Sequence, residues 1–155
     1  MDTRKFEGDL LLHETPDGGD CILEDDLLKA DHAFGTAFYI SLFGGNKADA
    51  GKVKTNKTWW GNTISGTTEN EKIVSRFQNH ISTMPMTVKN MKDAETKAAL
   101  DLHWAIDEGI VDEIVITSRA EKTNYMRLFI EAKKAGDSIF ETDYGVLWGA
   151  GLNGV

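Results

Sequence analysis

The spacing of apolar residues predicts two consecutive helices in the middle of the chain. Over residues 68 or 69 to 82 the apolar positions recur every three to four residues, and Pro85 follows, which a helix interior does not tolerate. The second helical period covers 88–108 and stops at Gly109, where a left-handed C-cap is expected. The two apolar stripes are Ile73, Val74, Phe77 and Ile81, and then Met91, Ala94, Ala98, Leu102, Ala105 and Ile106.

After residue 110 the period of the apolar positions changes to two, which is typical of strands. Residues 114–116 and 125–132 are predicted to be antiparallel strands, joined by a connection over 117–124. In the second strand one face carries Met126, Leu128, Ile130 and Ala132, and the other carries Tyr125, Arg127, Phe129 and Glu131.

The first 43 residues contain one turn signal and one ambiguous apolar segment. Proline and glycine in Pro16-Asp17-Gly18-Gly19, between two apolar runs, predict a hairpin over 6–24. The segment 33–43 follows Asp31, a possible N-cap, and stops at glycine. Its composition is compatible with a helix and with a buried strand.

Residues 44–68 lack any period and form the one locally basic stretch of the chain, with four lysines against one aspartate. A loop of this length in a compact domain is usually functional or mobile. It contains Trp59 and Trp60, which cannot both point the same way in extended chain. Either one anchors the loop while the other contacts a partner, or both hold the loop to the core.

These elements predict an α+β fold. It is a small single domain with two to three helices and a C-terminal antiparallel hairpin, preceded by an N-terminal hairpin arm. The expected organisation is an acidic arm over 1–32, a core over 33–139 and a glycine-rich tail over 140–155. The tail carries no charge after Asp143 and includes Trp148, so it either packs on its own domain or is donated to a neighbour.

The chain has a formal net charge of −8, and its distribution is uneven. Residues 1–32 hold ten acidic and three basic residues, whereas the remainder is nearly neutral. So acidic a chain is not expected to bind nucleic acid or an anionic membrane. The arm is either a solvated segment or a docking segment for a basic partner.

The sequence contains no arrangement of residues that predicts catalysis. Cys21 is the only cysteine, the four histidines show no metal-ligand spacing, and nucleophile-elbow and P-loop motifs are absent. Residues 149–154 match GxGxxG, but that motif needs a following helix. We therefore expect no enzyme activity, no metal and no cofactor. With no signal-peptide pattern or long apolar run, a soluble protein made inside the cell is expected.

Three stretches resemble the Mu-like bacteriophage baseplate proteins, the small wedge or sheath-initiator subunits of contractile tails. Residues 36–43 are similar to the family's "ETAVxISLFT", Trp59-Trp60-Gly61-Asn62 to "GWWGD", and 98–116 to "EALAWLVEDGVAxxVxV". Their order and approximate spacing agree over residues 20–135, about three quarters of the chain.

The resemblance implies a virion structural protein of the tail baseplate, synthesised in the bacterial cytoplasm and present in six copies. Its expected partners are other wedge proteins, the tail tube or hub, and the tail sheath protein, whose strands would add to the C-terminal hairpin. A peptidoglycan hydrolase of the baseplate and another tail or head-completion connector are the alternatives. The residues expected to bind partners are Trp59, Trp60, Ile114, Ile116, Tyr125, Arg127, Phe129 and Trp148.

Overall fold

The computed structural model describes residues 34–44 and 73–149, together with short backbone segments between residues 9 and 31. The chain divides into two compact units, Met1–Tyr39 and Ile40–Val155. The helices are α1 (Phe34–Phe43), α2 (Arg76–Thr83), α3 (Val88–Leu102) and the single turn α4 (Trp104–Asp107). The strands are β1 (Asp9–Leu10), β2 (Leu12–Thr15), β3 (Gly18–Cys21), β4 (Leu23–Glu24), β5 (Leu27–Leu28), β6 (Ala30–Asp31), β7 (Glu113–Lys122), β8 (Tyr125–Lys134) and β9 (Asp137–Leu147).

The α+β fold class is confirmed, and so is the N-terminal hairpin. Strands β2 and β3 pair antiparallel with Thr15 opposite Gly18, on either side of Pro16 and Asp17, which lie outside the described residues. Two further antiparallel pairs, β1 with β6 and β4 with β5, were not predicted. Each has only two residues per strand, which leaves almost no periodic signal.

Residues 34–43 of the ambiguous segment form a helix rather than a strand. Phe38 and Leu42, one helical turn apart, are fully buried. The helix ends where the N–H of Gly44 donates to the carbonyl of Ile40 at 2.7 Å. A Cβ on residue 44 would lie too close to that carbonyl oxygen, which explains the glycine at this position.

The first predicted helix starts later than its apolar period indicates. Helix α2 begins at Arg76, and Ile73 and Val74 lie before it in non-helical chain. Its start is fixed by a long-range contact, since the main-chain N–H of Phe77 donates to the carboxylate of Asp101 at 2.8 Å. Residues 68–72 of the predicted helix lie outside the described residues.

The second predicted helix is real but interrupted. The hydroxyl of Thr87 accepts a hydrogen bond from the N–H of Asn90 and caps α3, whose predicted apolar stripe is buried at Ala94, Ala98 and Leu102. The helix ends at Leu102, and α4 continues after His103. Gly109 has a φ of 65°, which confirms the predicted left-handed cap.

The C-terminal sheet has three antiparallel strands in the order β7-β8-β9, one more than predicted. Residues 117–122, predicted to be part of a connection, continue β7, and the turn is confined to Thr123 and Asn124. A second two-residue turn follows β8, with positive φ at Ala135 and Gly136, as hairpin turns of this type require. The strand β9 therefore lies partly within the predicted tail, of which residues 150–155 are outside the described part.

The predicted two faces of β8 are confirmed. Met126, Leu128, Ile130 and Ala132 are buried, whereas the residues between them are partly exposed. The buried face contributes to the core of the second unit, to which α2, α3 and Val111 also contribute. Among the helices that the structure describes, none is long and apolar enough to cross a membrane.

Candidate functional site: the outer face and edges of the C-terminal sheet

Three of the residues expected to bind partners lie together on one surface of the sheet. Tyr125, Arg127 and Phe129 are on the partly exposed face of β8, which we call the outer face. Ile114 and Ile116 are paired with Ala132 and Ile130, whose side chains are buried, so both isoleucines belong to the opposite, core face. The structure therefore does not bring these five residues into one site.

Arg127 is engaged within the chain. Its Nε donates to Oε1 of Glu121 at 2.8 Å, and its Nη1 donates to the carboxylate of Asp143. These bonds join the end of β7, the middle of β8 and the edge strand β9. Because Arg127 donates a hydrogen bond to Glu121, the pKa of that carboxyl is lowered, and the two carboxylates raise the pKa of the guanidinium.

The two aromatic residues of the outer face each lie beneath a cation. The guanidinium carbon of Arg119 is 5.7 Å from the ring centre of Phe129, and Nζ of Lys122 is 4.8 Å from that of Tyr125. The ring of Tyr125 also covers Gly145 of β9, where a Cβ would collide with it. This contact gives a physical reason for a glycine inside an edge strand.

An open depression of about 490 Å³ lies on the sheet between β7 and β9. Its lining consists of Val115, Thr117, Phe129, Ile130, Glu131, Glu141, Thr142 and Asp143. The mixture of one aromatic ring, small apolar groups and three carboxylates suits contact with a polypeptide carrying basic side chains. No group of three or more histidine, cysteine, aspartate or glutamate side chains within the described residues could hold a metal ion.

Trp148 was predicted to contact a partner, and its burial corrects that assignment. Only 3% of the residue is exposed. Its Nε1–H donates to the carbonyl of Met84, and its ring meets that of His80 edge-on at 6.0 Å. The chain up to this residue therefore packs on its own domain. Trp59 and Trp60 lie outside the described residues.

The edge at β7 is partly closed by a side chain from α3. Oε1 of Glu95 accepts hydrogen bonds from the main-chain N–H of Ser118 at 2.8 Å and from its hydroxyl at 2.7 Å. The N–H of Ser118 therefore faces away from β8. Because antiparallel strands present alternate residues to the same side, the main-chain groups of Ile114, Ile116 and Ala120 also face away.

The same alternation identifies the outward residues at the other edge. The main-chain groups of residues 115, 117 and 119 face β8, where their partners are the odd-numbered residues 131, 129 and 127. The main-chain groups of the even-numbered residues of β8 therefore face β9. Their partners on β9 are even-numbered too, from Phe140 to Val146. The outward main-chain groups of β9 thus belong to Glu141, Asp143, Gly145 and Leu147. All four residues are exposed, and among the described strands only β8 pairs with β9.

Sequence reasoning missed β9 because its last four residues, from Tyr144 to Leu147, begin an uncharged, glycine-rich stretch that resembles a tail. A signal for the strand was present, since Phe140, Tyr144 and Val146 occupy alternate positions on one side of it.

No family model, no curated protein and no solved structure matches the chain.

Proposed function

We propose that this chain is a non-enzymatic structural subunit of a contractile phage tail baseplate, acting as the sheath initiator. In this role it links the inner baseplate and tube to the first ring of sheath subunits, and six copies occupy the ring. The proposal starts from the motifs in residues 36–43, 59–62 and 98–116, which resemble the Mu-like baseplate family.

The observation that supports this role best is the open edge of the C-terminal sheet. The three strands have ten, ten and eleven residues, and among the described strands only β8 pairs with β9. A long unpaired edge is a template for strand addition and is normally covered or blocked in monomeric proteins. A subunit whose task is to receive strands from the next ring needs such an edge.

The outer face adds a second surface for assembly. Its charged side chains come from all three strands, and Arg127 connects the carboxylates of Glu121 and Asp143. Such pairs hold the strands in register before a partner arrives. A preformed sheet binds a strand at a lower entropic cost than one that orders on binding.

The test uses contractile particles purified from cells that encode the chain. Mass spectrometry should detect the chain in the particle, and cryo-electron microscopy should place it where the baseplate meets the first sheath ring. Cells lacking the chain should accumulate baseplates or tubes without sheath, and complementation should restore contractile tails. Normal sheathed tails in its absence would contradict the proposal.

A purified sample allows a direct test of the enzyme alternative. The chain should not clear a suspension of peptidoglycan under conditions in which a known hydrolase does. Clearing that disappears on replacement of a single carboxylate would overturn the non-enzymatic role.

A further inference from the structure

We infer that the strand acceptor is the β9 edge, and that it receives an extended segment whose side chains alternate between basic and apolar. This inference rests on the proposed strand addition and specifies its edge and its partner. It differs from the expectation implied by the family resemblance, which placed strand addition on the C-terminal hairpin predicted over 114–132.

The two edges of the sheet differ in how far the chain itself blocks them. At β7 the N–H of Ser118 already donates to Glu95, a side chain that is only 12% exposed. An incoming strand would have to displace this charge-assisted hydrogen bond in the middle of the edge. Buried carboxylates lose much when their donors are removed, so β7 is the unfavourable edge.

At β9 the outward residues are Glu141, Asp143, Gly145 and Leu147, which are all exposed. Leu147 is 59% exposed, and nearby Ile139 is 43% exposed. Ile139 has no partner on β8, because Ala132 pairs with Phe140 and Lys133 pairs with Ser138. This bulge bounds the continuous acceptor edge on one side, and the buried Trp148 bounds it on the other.

The side chains of β9 define what the added strand must carry. On the outer face Asp143 is already paired with Arg127, but Glu141 contacts only the hydroxyl of Ser138 among the described residues. A basic side chain on the added strand, directly opposite Glu141, would complete a cross-strand charge pair. On the core face β9 carries Phe140, Tyr144 and Val146, which favour apolar neighbours.

A second β9 strand, from another copy of this chain, is a poorer occupant of the edge. Strand β9 contains Asp137, Glu141 and Asp143 and no basic residue. Antiparallel pairing of two β9 strands in registers centred near Thr142 would place carboxylates opposite carboxylates, which destabilises a sheet. Charge complementarity therefore favours, over a second β9, a polypeptide segment with lysine or arginine at alternate positions.

The inference is tested on the full chain with a synthetic peptide that alternates lysine with valine or threonine and is blocked at both termini. Binding is followed by amide hydrogen exchange and by NMR shifts of the protein. The amides of Glu141, Asp143 and Gly145 should become protected, while those of β7 keep their exchange rates. A peptide with glutamate in place of each lysine should bind at least about fivefold more weakly.

Two proline variants separate the edges. Glu141→Pro removes an outward N–H of β9 without breaking the ladder to β8, and it should abolish protection by the peptide. Ala120→Pro makes the matched change on the outward side of β7 and should leave binding unchanged. Circular dichroism and urea unfolding establish that both variants fold. Glu141→Lys keeps the main-chain N–H. It should weaken binding of the basic peptide and strengthen binding of the acidic peptide.

Several outcomes would overturn the inference. The peptide could protect the amides of β7 instead of β9, both peptides could bind equally, or neither could bind. The β9 amides could also become protected without peptide as the protein concentration rises. The proposed function fails separately, if the chain is absent from contractile particles. Binding at β9 without particle incorporation would retain the acceptor edge and remove the phage role.

Discussion

Glu95 on α3 and Ser118 on β7 are joined by two hydrogen bonds to a single carboxylate oxygen, one from the main chain at 2.8 Å and one from the hydroxyl at 2.7 Å. The pair attaches the longest helix in the described part of the chain to the edge of the sheet. It also removes one outward N–H from the edge. One interaction thereby contributes to folding and makes the two edges of the sheet different.

Replacing Glu95 with alanine should destabilise the protein by about 1.5–3 kcal/mol, the range for hydrogen bonds to charged groups. Urea unfolding measures this loss, and hydrogen exchange should show faster exchange of the Ser118 amide. The control is Lys92→Ala, which removes the exposed lysine that pairs with the same carboxylate. That change should cost less than about 0.5 kcal/mol. Equal effects of the two substitutions would show that the Ser118 bonds contribute little.

Asp101 connects α3 to the start of α2. Its side chain has no exposed surface and accepts hydrogen bonds from the N–H of Phe77 at 2.8 Å and from Nη1 of Arg76 at 3.0 Å. Asp101→Ala leaves the N–H of Phe77 without its partner and should cost about 1–3 kcal/mol. Asp101→Asn retains an acceptor and should cost less. A larger loss in the asparagine variant would contradict this role.

The same residue predicts a pH dependence with a defined sign. Burial raises the pKa of Asp101 despite the hydrogen bonds that favour its ionised form. The native state therefore holds the proton at pH values where the unfolded state has lost it, so stability falls as pH rises from about 4 through the folded pKa. The difference in unfolding free energy between the wild type and Asp101→Asn should decrease over this interval. An increase would mean that the pKa is lowered.

The pairing of Arg127 with Glu121 at the sheet surface predicts the opposite pH dependence, a stability that falls as pH decreases. Its hydrogen bond lowers the pKa of Glu121, so the contribution of this carboxylate to stability is present above its unfolded pKa and is lost as pH falls through the folded one. Carbon-13 NMR titration should show the pKa of Glu121 rising in Arg127→Ala. Arg119→Ala should raise it less, because Arg119 makes the weaker contribution. No change in Arg127→Ala would contradict the observed pairing.

Trp148 provides a test of how the end of the described chain is packed. Trp148→Ala removes a buried aromatic ring and should cost about 3–5 kcal/mol. Trp148→Phe keeps much of the apolar contact but loses the hydrogen bond to Met84, so it should cost less. The neighbouring Leu147, 59% exposed, supplies the control, and Leu147→Ala should stay within about 0.5 kcal/mol. Urea unfolding followed by circular dichroism compares the three variants.

Local patterns predicted much of the fold because their causes are local. The alternation in β8, the antiparallel pairing of β2 with β3 and the left-handed Gly109 depend on neighbouring residues only. The predicted start of α2 was wrong because the actual start depends on Asp101, more than twenty residues away in sequence. The residues on the outer face of β8 were predicted correctly, but their contacts with side chains of β7 and β9 were not.

The sequence by itself determined the α+β class, the left-handed cap at Gly109 and the two faces of the central strand, since each follows from period and turn chemistry. Only the tertiary structure decided that the first part of the predicted tail supplies most of β9 and that Trp148 is buried. It also decided that Glu95 covers one edge of the sheet. The physical reason is that a strand edge becomes open or closed through contacts between distant segments. A side chain from α3 reaches β7, while among the described strands only β8 pairs with β9.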